Sequence, residues 1–223
     1  MRYRASLVEQ RTGIKNSIHA LLSKSNVSPP FRDLFCPSGM RFLSSLELAR
    51  ERRFALSGKL RILDALSREI KLAEGVLKGT YRESEEARLL STLPGVGMIL
   101  SLTILSEIGE AGRFHGAKHL SSFAGLVPST HQSGGRQRHG RITKQGSRLL
   151  RWALQEAAIH AAGKPGPPRD HYLKAKKKKK KKGAKVARVA VARKMATYIY
   201  HMLKEKKTYQ EPLLSISRPS DLG

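Results

Sequence analysis

The chain has 223 residues, and its 43 lysines and arginines outnumber its 17 aspartates and glutamates, which leaves a formal net charge of +26. So large a surplus works against a compact fold unless a polyanion neutralises it, and nucleic acid is the commonest polyanion. The single cysteine, Cys36, excludes an intrachain disulfide and a cysteine-based zinc cluster. No apolar run reaches the roughly 18 residues that cross a bilayer, and no signal peptide follows Met1. We therefore expect a cytoplasmic, nucleoid-associated protein with no membrane partner.

Two segments in the first third of the chain have helical periodicity. Residues 1–25 predict an amphipathic helix that ends before Ser28-Pro29-Pro30. In residues 40–78, alternate steps of four and three from Phe42 to Leu77 meet mostly large apolar side chains, as in a coiled-coil seam. Residues 1–80 are therefore predicted to be a helical coiled-coil hairpin for dimerisation or for contact with RNA or DNA. The long helix would pair with the first one or with the same helix of another protomer.

Residues 83–109 predict two helices joined by a turn that contains Pro94, Gly95 and Gly97. This order is typical of a helix-hairpin-helix. Gly95 and Gly97 would let a phosphate approach the backbone closely, and the free N–H groups of the second helix would bind it. The alternative is a tight turn between two helices of the core.

The segment 129–146 has no apolar periodicity and is predicted to be a basic loop. It contains Ser133, Gly134 and Gly135, followed by a series of cations. The glycines would admit a phosphate, and guanidinium groups match phosphate in a bidentate way. The candidate phosphate ligands are Gly134, Gly135, Arg136, Arg138, Arg141, Lys144 and Arg148. The alternative is a solvated basic loop without a ligand.

The last third of the chain predicts a helix that starts near Thr143 or Ser147, a break at 163–168, and a final helix that carries Val186 and Leu203. Between them lies a lysine-rich insert, residues 174–185. Its charges repel one another, so we expect it to be disordered without a polyanion. Phosphate binding and incidental low complexity both stay open for it. Residues 208–223 are expected to be a tail.

Three segments resemble a known family. They are LPGVGMILSLTILSEIG, FAGLVPSTHQSGGRQRHGRITKQGSRLLRWALQEAA and ARVAVARKMATYIYHML. In this order they resemble the C-terminal domain of the "one-ten" insertion-sequence transposases, which are bridge-RNA-guided recombinases related to the Piv DNA invertase. The resemblance covers residues 88–207, and residues 1–80 resemble the coiled-coil region that precedes this domain in the family. It implies a C-terminal transposase domain over residues 83–207.

The resemblance also implies a mechanism. The family's Ser-Gly motif supplies a serine that attacks DNA and becomes linked to it, which is Ser133 here. A separate RuvC-like domain holds Mg²⁺ on four acidic residues. The aspartates of this chain are too scattered for that motif, so we expect a truncated or fragmentary chain that binds no metal itself and is inactive alone. His131 and His139 flank the serine as candidate general bases.

The sequence thus predicts a mainly α fold: a helical coiled-coil hairpin, then a compact helical domain with a helix-hairpin-helix and a basic serine-bearing loop. Three functions stay open. The chain is a transposase or site-specific recombinase subunit that acts in DNA transposition and takes its acidic domain from a full-length partner. Alternatively it is a non-catalytic DNA-binding module, or a basic RNA-binding protein. The implied partners are DNA, a structured guide RNA, and either a second copy or a full-length transposase protomer bound through the coiled coil.

Overall fold

The computed structural model describes residues 1–133, 136–177 and 183–209, with the backbone alone at 130–133 and 136–139. Within these residues the fold is mainly α, which confirms the predicted fold class. The helices are α1 (Arg2–Lys24), α2 (Pro37–Ser45), α3 (Arg50–Glu83), α4 (Glu85–Ser91), α5 (Met98–Ile108), α6 (Ala117–Phe123), α7 (Arg148–Ala162), α8 (Pro167–Lys177) and α9 (Gly183–Glu205). The strands are β1 (Pro128–Ser133) and β2 (Arg136–Ile142).

The chain divides into two compact units, Met1–Val76 and Leu77–Gly223. In the first unit, α1 lies antiparallel to α3, because Tyr3 near the start of α1 bonds to Glu69 and Ser17 near its end bonds to Lys59. The first of the two predicted pairings of the long helix, with α1, is therefore present. The core between the helices and their connection contains Ile18, Leu22, Leu34, Leu43, Leu56 and Leu63.

The predicted seam from Phe42 to Leu77 is divided between α2 and α3, so the expectation of one periodic stretch is corrected. The chain leaves α2 in an extended conformation at Leu46. Arg53, a polar position of the seam, explains the break: its Nη1 donates to the carbonyl oxygens of Leu43, at 2.9 Å, and Leu46, at 3.3 Å. These carbonyls have no partner within a helix that ends there, so the guanidinium caps α2.

The predicted seam has two other polar positions, Ser67 and Glu74, and each has a hydrogen-bond partner within the first unit. Ser67 Oγ donates to the Leu63 carbonyl oxygen at 2.7 Å, one turn earlier in α3. Glu74 pairs with Arg4 of α1, with 2.6 Å between Oε1 and Nη2. The polar interruptions therefore mark contacts of the hairpin.

In the second unit, α9 runs through the core and α6, α7 and α8 pack against it. Eleven residues of α9 are buried, among them Met195 and Ile199. Small residues make the close packing possible, since Ala153, Ala157 and Ala161 of α7 are all buried. The helices α4 and α5 complete this core with Leu90 and Ile104. The helix predicted to begin at residue 83 begins at Glu85, after its N-cap Ser84, and the helix predicted to stop at Gly109 ends at Ile108.

The expectation of an irregular loop at 129–146 is corrected, because β1 and β2 pair there as an antiparallel hairpin. Most of its strand residues are polar. It therefore lacks the alternation of apolar and polar residues by which a strand is recognised in a sequence. The backbone ladder, with Ser133 opposite Arg136, supplies the order instead.

The expectation for the lysine-rich insert is corrected in part. Lys174, Lys176 and Lys177 belong to helix α8, which continues from Pro167, and residue 183 already belongs to α9. The helix forms because Pro168 and Tyr172 pack on the core side, so that burial offsets repulsion among the lysines. Residues 178–182 lie outside the described residues, as do 210–223 of the expected tail.

Candidate functional site

The predicted nucleophile, Ser133, is the last residue of β1. The strands end and begin at Ser133 and Arg136, which are direct partners in the register. Gln132 pairs with Gln137, and His131 pairs with Arg138. Gly134 and Gly135, the predicted phosphate-admitting glycines, lie outside the described residues.

Backbone hydrogen bonds fix the base of the hairpin to the helical core. The Thr143 N–H donates to the Val127 carbonyl at 2.9 Å, and the Ser147 N–H donates to the Phe123 carbonyl at 3.0 Å. These bonds join the segment after β2 to the C-terminal end of α6. The hairpin is therefore attached to the fold at both of its ends.

Two glycines allow the two segments at this base to approach closely. Gly125 has φ of +65°, and a Cβ there would lie 2.3 Å from the Gln145 carbonyl oxygen. Gly146 has φ of +101°, and a Cβ there would lie 2.1 Å from the Phe123 carbonyl oxygen. Any side chain would clash with the backbone and strain the dihedral angle, so both positions require glycine.

Ser147 connects the hairpin base with two helices. Its Oγ accepts from the Leu150 N–H at 3.0 Å, as the N-cap of α7, and donates to Glu107 Oε2 of α5 at 2.7 Å. Of the two predicted starts of this helix, the structure selects Ser147. Glu107 was not predicted as a site residue, because an acidic residue at the end of an apolar helix carries no local signal of a distant partner.

Replacing Ser147 with alanine is expected to lower the free energy of unfolding by about 2 kcal/mol, because the N-cap bond and a bond to a carboxylate are both lost. Chemical denaturation monitored by circular dichroism measures this. Ser106→Ala is the control, since its hydroxyl bonds only to the Thr103 carbonyl within its own helix. Equal stability of the Ser147 variant and the wild type would contradict this account of the anchor.

The predicted cations fall into two groups. Arg141, Lys144 and Arg148 are exposed around the hairpin base, where Lys144 has a left-handed backbone with φ of +57°. Arg136 and Arg138 belong to β2, opposite Ser133 and His131. The structure therefore brings all five positions onto the hairpin or its immediate continuation into α7.

The register also separates the two histidines flanking the serine. Alternate residues of a strand share one face, and directly opposed residues of an antiparallel pair share the same face. By this rule His131 shares the face of Ser133, Arg136 and Arg138. His139 pairs near Thr130 and falls on the other face.

The turn between α4 and α5 gives different environments to its two glycines. Gly95 has φ of +86°, and a Cβ there would lie 2.4 Å from the Ala157 carbonyl oxygen of α7. Gly97, the N-cap of α5, is exposed and has open space where a Cβ would be. Gly95 therefore has a packing role in the core, and phosphate binding by the pair stays a prediction.

The described parts of the chain hold no group of three or more histidine, cysteine, aspartate or glutamate side chains placed to bind a metal ion. The magnesium site implied by the resemblance therefore does not fit these residues. No helix within the described ranges is both long and apolar enough to pass through a membrane.

Comparison with known proteins identifies the segment that carries the hairpin. Residues 87–174 match the family model described as Transposase IS116/IS110/IS902 family. This segment runs from α4 into α8 and includes both strands and α7. The site described above thus lies inside the matched region.

Three similar proteins have related names. The transposase for insertion sequence element IS1111A of Coxiella burnetii is 28% identical over 94% of this chain and 59% of its own length. The insertion element IS116 uncharacterized 44.8 kDa protein of Streptomyces clavuligerus is 29% identical over 74% of this chain and 43% of its own length. The pilin gene-inverting protein of Moraxella bovis is 31% identical over 57% of this chain and 40% of its own length. The chain spans about half the length of these curated relatives.

Proposed function

We propose that this chain is part of a DNA transposase or site-specific recombinase of the IS116/IS110/IS902 type and uses Ser133 as its nucleophile. The observation that carries the proposal is the position of this serine at the end of β1, opposite Arg136, in an anchored pair of strands within the matched segment. The names of the similar proteins, transposases and a gene-inverting protein, support rearrangement of DNA as the activity.

The proposed chemistry is transfer of a phosphoryl group of the DNA backbone. Ser133 Oγ attacks the phosphorus, a serine–phosphate bond forms, and the bond from phosphorus to one sugar oxygen breaks. That oxygen leaves with a proton, and the serine gives up its own proton to a base. Reversal onto another strand end joins two DNA segments without an external energy source.

The cations around the hairpin are proposed to hold the scissile phosphate. Arg136 and Arg138 share a strand face with Ser133, and their guanidinium groups would stabilise charge that grows on the phosphate oxygens. Arg141, Lys144 and Arg148 would hold neighbouring phosphates at the base. Of the two candidate bases, the register favours His131 over His139.

The acidic, magnesium-binding part of the active site is proposed to come from a full-length partner transposase. A structured guide RNA is the second nucleic acid proposed to bind. No step above passes through a metal held by the described residues. This chain alone is therefore expected to bind DNA without cleaving it.

A complementation experiment tests the proposal. The purified chain is incubated with donor DNA, guide RNA, Mg²⁺ and a full-length relative whose own Ser-Gly serine is changed to alanine. Covalent DNA adducts are separated on a denaturing gel and identified by mass. We expect an adduct with the mass of this chain only when the relative is present. No adduct in any mixture, or one formed by the chain alone, would contradict the proposed division of the site.

Self-association through α3 is the second proposal for this chain's partners. Phe54, Ile62 and Leu72 of α3 are 75%, 49% and 66% exposed. At 100° per residue, Phe54 and Leu72 lie on the face opposite Leu63, which packs in the hairpin core. Large apolar side chains left exposed on α3 are suited to contact the same helix of a second copy or of a full-length protomer.

Changing Leu72 to lysine is expected to shift the chain from dimer to monomer, because the charge would be buried unpaired in the helix contact. Light scattering after size exclusion measures the molecular mass. Gln10→Lys, at an exposed position of α1, adds the same charge and should leave the dimer intact. A wild-type chain that is monomeric at all concentrations would exclude this interface between two copies.

A further inference from the structure

The helices α8 and α9 carry a cluster of cations away from the serine hairpin. We call it the lysine surface. In each of its members the side chain is exposed, and the cluster consists of Lys174, Lys176, Lys177, Lys185 and Arg188. The lysines of α8 lie in its last turn, and the two α9 residues lie in its first two turns.

The charge of this surface is uncompensated within the described residues. From 171 to 204 the sequence contains thirteen lysines and arginines and no acidic residue, and Asp170, in the first turn of α8, is the one carboxylate that the two helices carry before them. The carboxylate that follows, Glu205, already pairs with His201 at 3.2 Å and lies 3.5 Å from Lys207 Nζ. None of the five cations forms an ion pair with any residue that the structure describes. An external anion is therefore the natural counterion.

The cations stand on a tightly packed support. Gly183, at the start of α9, is buried, and a Cβ there would lie 2.7 Å from the Lys176 carbonyl oxygen. Ala187 of α9 is also buried, and Tyr172 of α8 packs against the core. The C-terminal end of α8 and the N-terminal end of α9 are thus in backbone contact. The fold itself therefore holds the cations of the two helices near one another.

The chemistry of the surface favours a regular row of phosphates. Lys174 and Lys177 are separated by about 4.5 Å along the axis of α8, as are Lys185 and Arg188 along α9. Ammonium groups bind phosphate as point charges, and contacts to phosphate carry no direct sequence information. A membrane-binding helix would need a broad apolar face beside its cations. In α8 and the described start of α9, the large exposed apolar residues are Leu173 and Val186, each 43% exposed.

We propose that the lysine surface binds the sugar-phosphate backbone of duplex DNA without sequence preference, as a second contact distinct from the serine hairpin. It goes beyond the proposed function at Ser133, because it requires no chemistry there. It would add affinity for DNA that flanks the recombining site.

The test measures how the affinity for DNA depends on salt. All five cations are changed to glutamine in the full chain, and binding to two 30-base-pair duplexes of unrelated sequence is titrated between 50 and 200 mM KCl. Each lost phosphate contact makes the slope of log affinity against log salt shallower by about 0.9, so we expect the five changes to make it shallower by about 4.5, equally on both duplexes. A variant with only Lys185→Gln and Arg188→Gln should lose about half as much.

A control variant separates this surface from net charge. It changes five exposed cations of the first unit to glutamine: Lys24, Arg41, Arg52, Arg61 and Lys71. We expect its slope to stay near that of the wild type, and circular dichroism should show all variants folded. An unchanged slope in the five-site variant, an equal loss in the control, a loss on one duplex sequence only, or a loss only on duplex RNA or on anionic vesicles would each overturn the proposal.

The outcome is independent of the proposed strand cleavage. A Ser133→Ala chain should have the wild-type slope, since the serine carries no charge. If complementation fails to give an adduct and the slope still falls in the five-site variant, the proposed nucleophile is wrong and the lysine surface stands. If an adduct forms and the slope of the five-site variant is unchanged, the proposed nucleophile is supported and the proposed DNA contact of the lysine surface is wrong.

Discussion

A Ser133→Ala variant is expected to lose covalent linkage to DNA, by roughly 10³-fold or more, in the complementation mixture. The reason is that no other atom would take the place of the serine oxygen in the bond to phosphorus. Affinity for DNA should change little, because cations rather than the hydroxyl supply most of the attraction to phosphate. The measurement is the fraction of labelled DNA retained on the denatured chain, beside a filter-binding titration of the same samples.

Ser129→Ala is the matched control. Ser129 lies in the same strand, β1, beside the register irregularity between Pro128 and Thr130 and four residues from Ser133. Its removal should leave the adduct yield unchanged. If Ser129→Ala abolishes the adduct while Ser133→Ala retains it, the nucleophile has been assigned to the wrong residue. A loss in both variants would instead indicate damage to the strand.

Replacing Gly95 with alanine is expected to lower the free energy of unfolding by about 2–5 kcal/mol. Two costs add: a left-handed backbone costs about 1–2 kcal/mol for a residue with a Cβ, and overpacking costs about 1–3 kcal/mol. The Cβ would meet the Ala157 carbonyl oxygen at 2.4 Å and the Ala161 nitrogen at 2.8 Å, and neither backbone atom can move without disturbing α7. Chemical denaturation monitored by circular dichroism measures the loss.

Gly97→Ala is the companion variant, because its Cβ would enter open space and its backbone is extended, with φ of −106°. It should stay within about 1 kcal/mol of the wild type. Since the fold tolerates a side chain there, Gly97→Glu is a clean probe of phosphate binding at the turn: it should weaken DNA binding if a phosphate approaches this N-terminus. Unchanged DNA binding would show that no phosphate binds at this turn, whose role would then be packing in the core.

The helices were predictable where local signals and packing agree. The stretch from 83 predicted a helix, which begins two residues later at Glu85 after the N-cap Ser84, and Gly109 predicted the end of α5. Each signal acts within one turn of the chain, so the sequence alone displays it. The pairing of α3 with α1 was one of two predicted arrangements, because an apolar face indicates that a partner exists without identifying it.

The hairpin and α8 were not predictable from periodicity. The strands at 128–142 have no consistently apolar face, and their order depends on backbone pairing and on bonds from Phe123 and Val127 to the segment beyond β2. Helix α8 ends in lysines that repel one another, and its stability depends on Tyr172 and Pro168 reaching a core made by distant helices. Contacts between residues far apart in the chain therefore decided both elements.

The residues of the candidate site were likewise predictable from local signals, whereas their contacts with distant residues were not. The Ser-Gly motif and its arginines were found from their types and from the resemblance. The contact that anchors them was missed: Ser147 was predicted only as a helix start, and its bond to Glu107 crosses 40 positions of the chain. Gly125 and Gly146 were visible as glycines, but their closeness to Gln145 and Phe123 depends on the folded hairpin base.

The anchor of the hairpin has a consequence for how this protein can change over generations. The attachment depends on backbone groups and glycines at 123–127 and 143–147, outside the strands themselves. Substitutions within β1 and β2 leave those attachments in place, so we expect them to lower the stability of the helical fold only a little. If the hairpin contacts DNA as proposed, selection could alter the strand residues other than Ser133 without disturbing the helices that hold the hairpin.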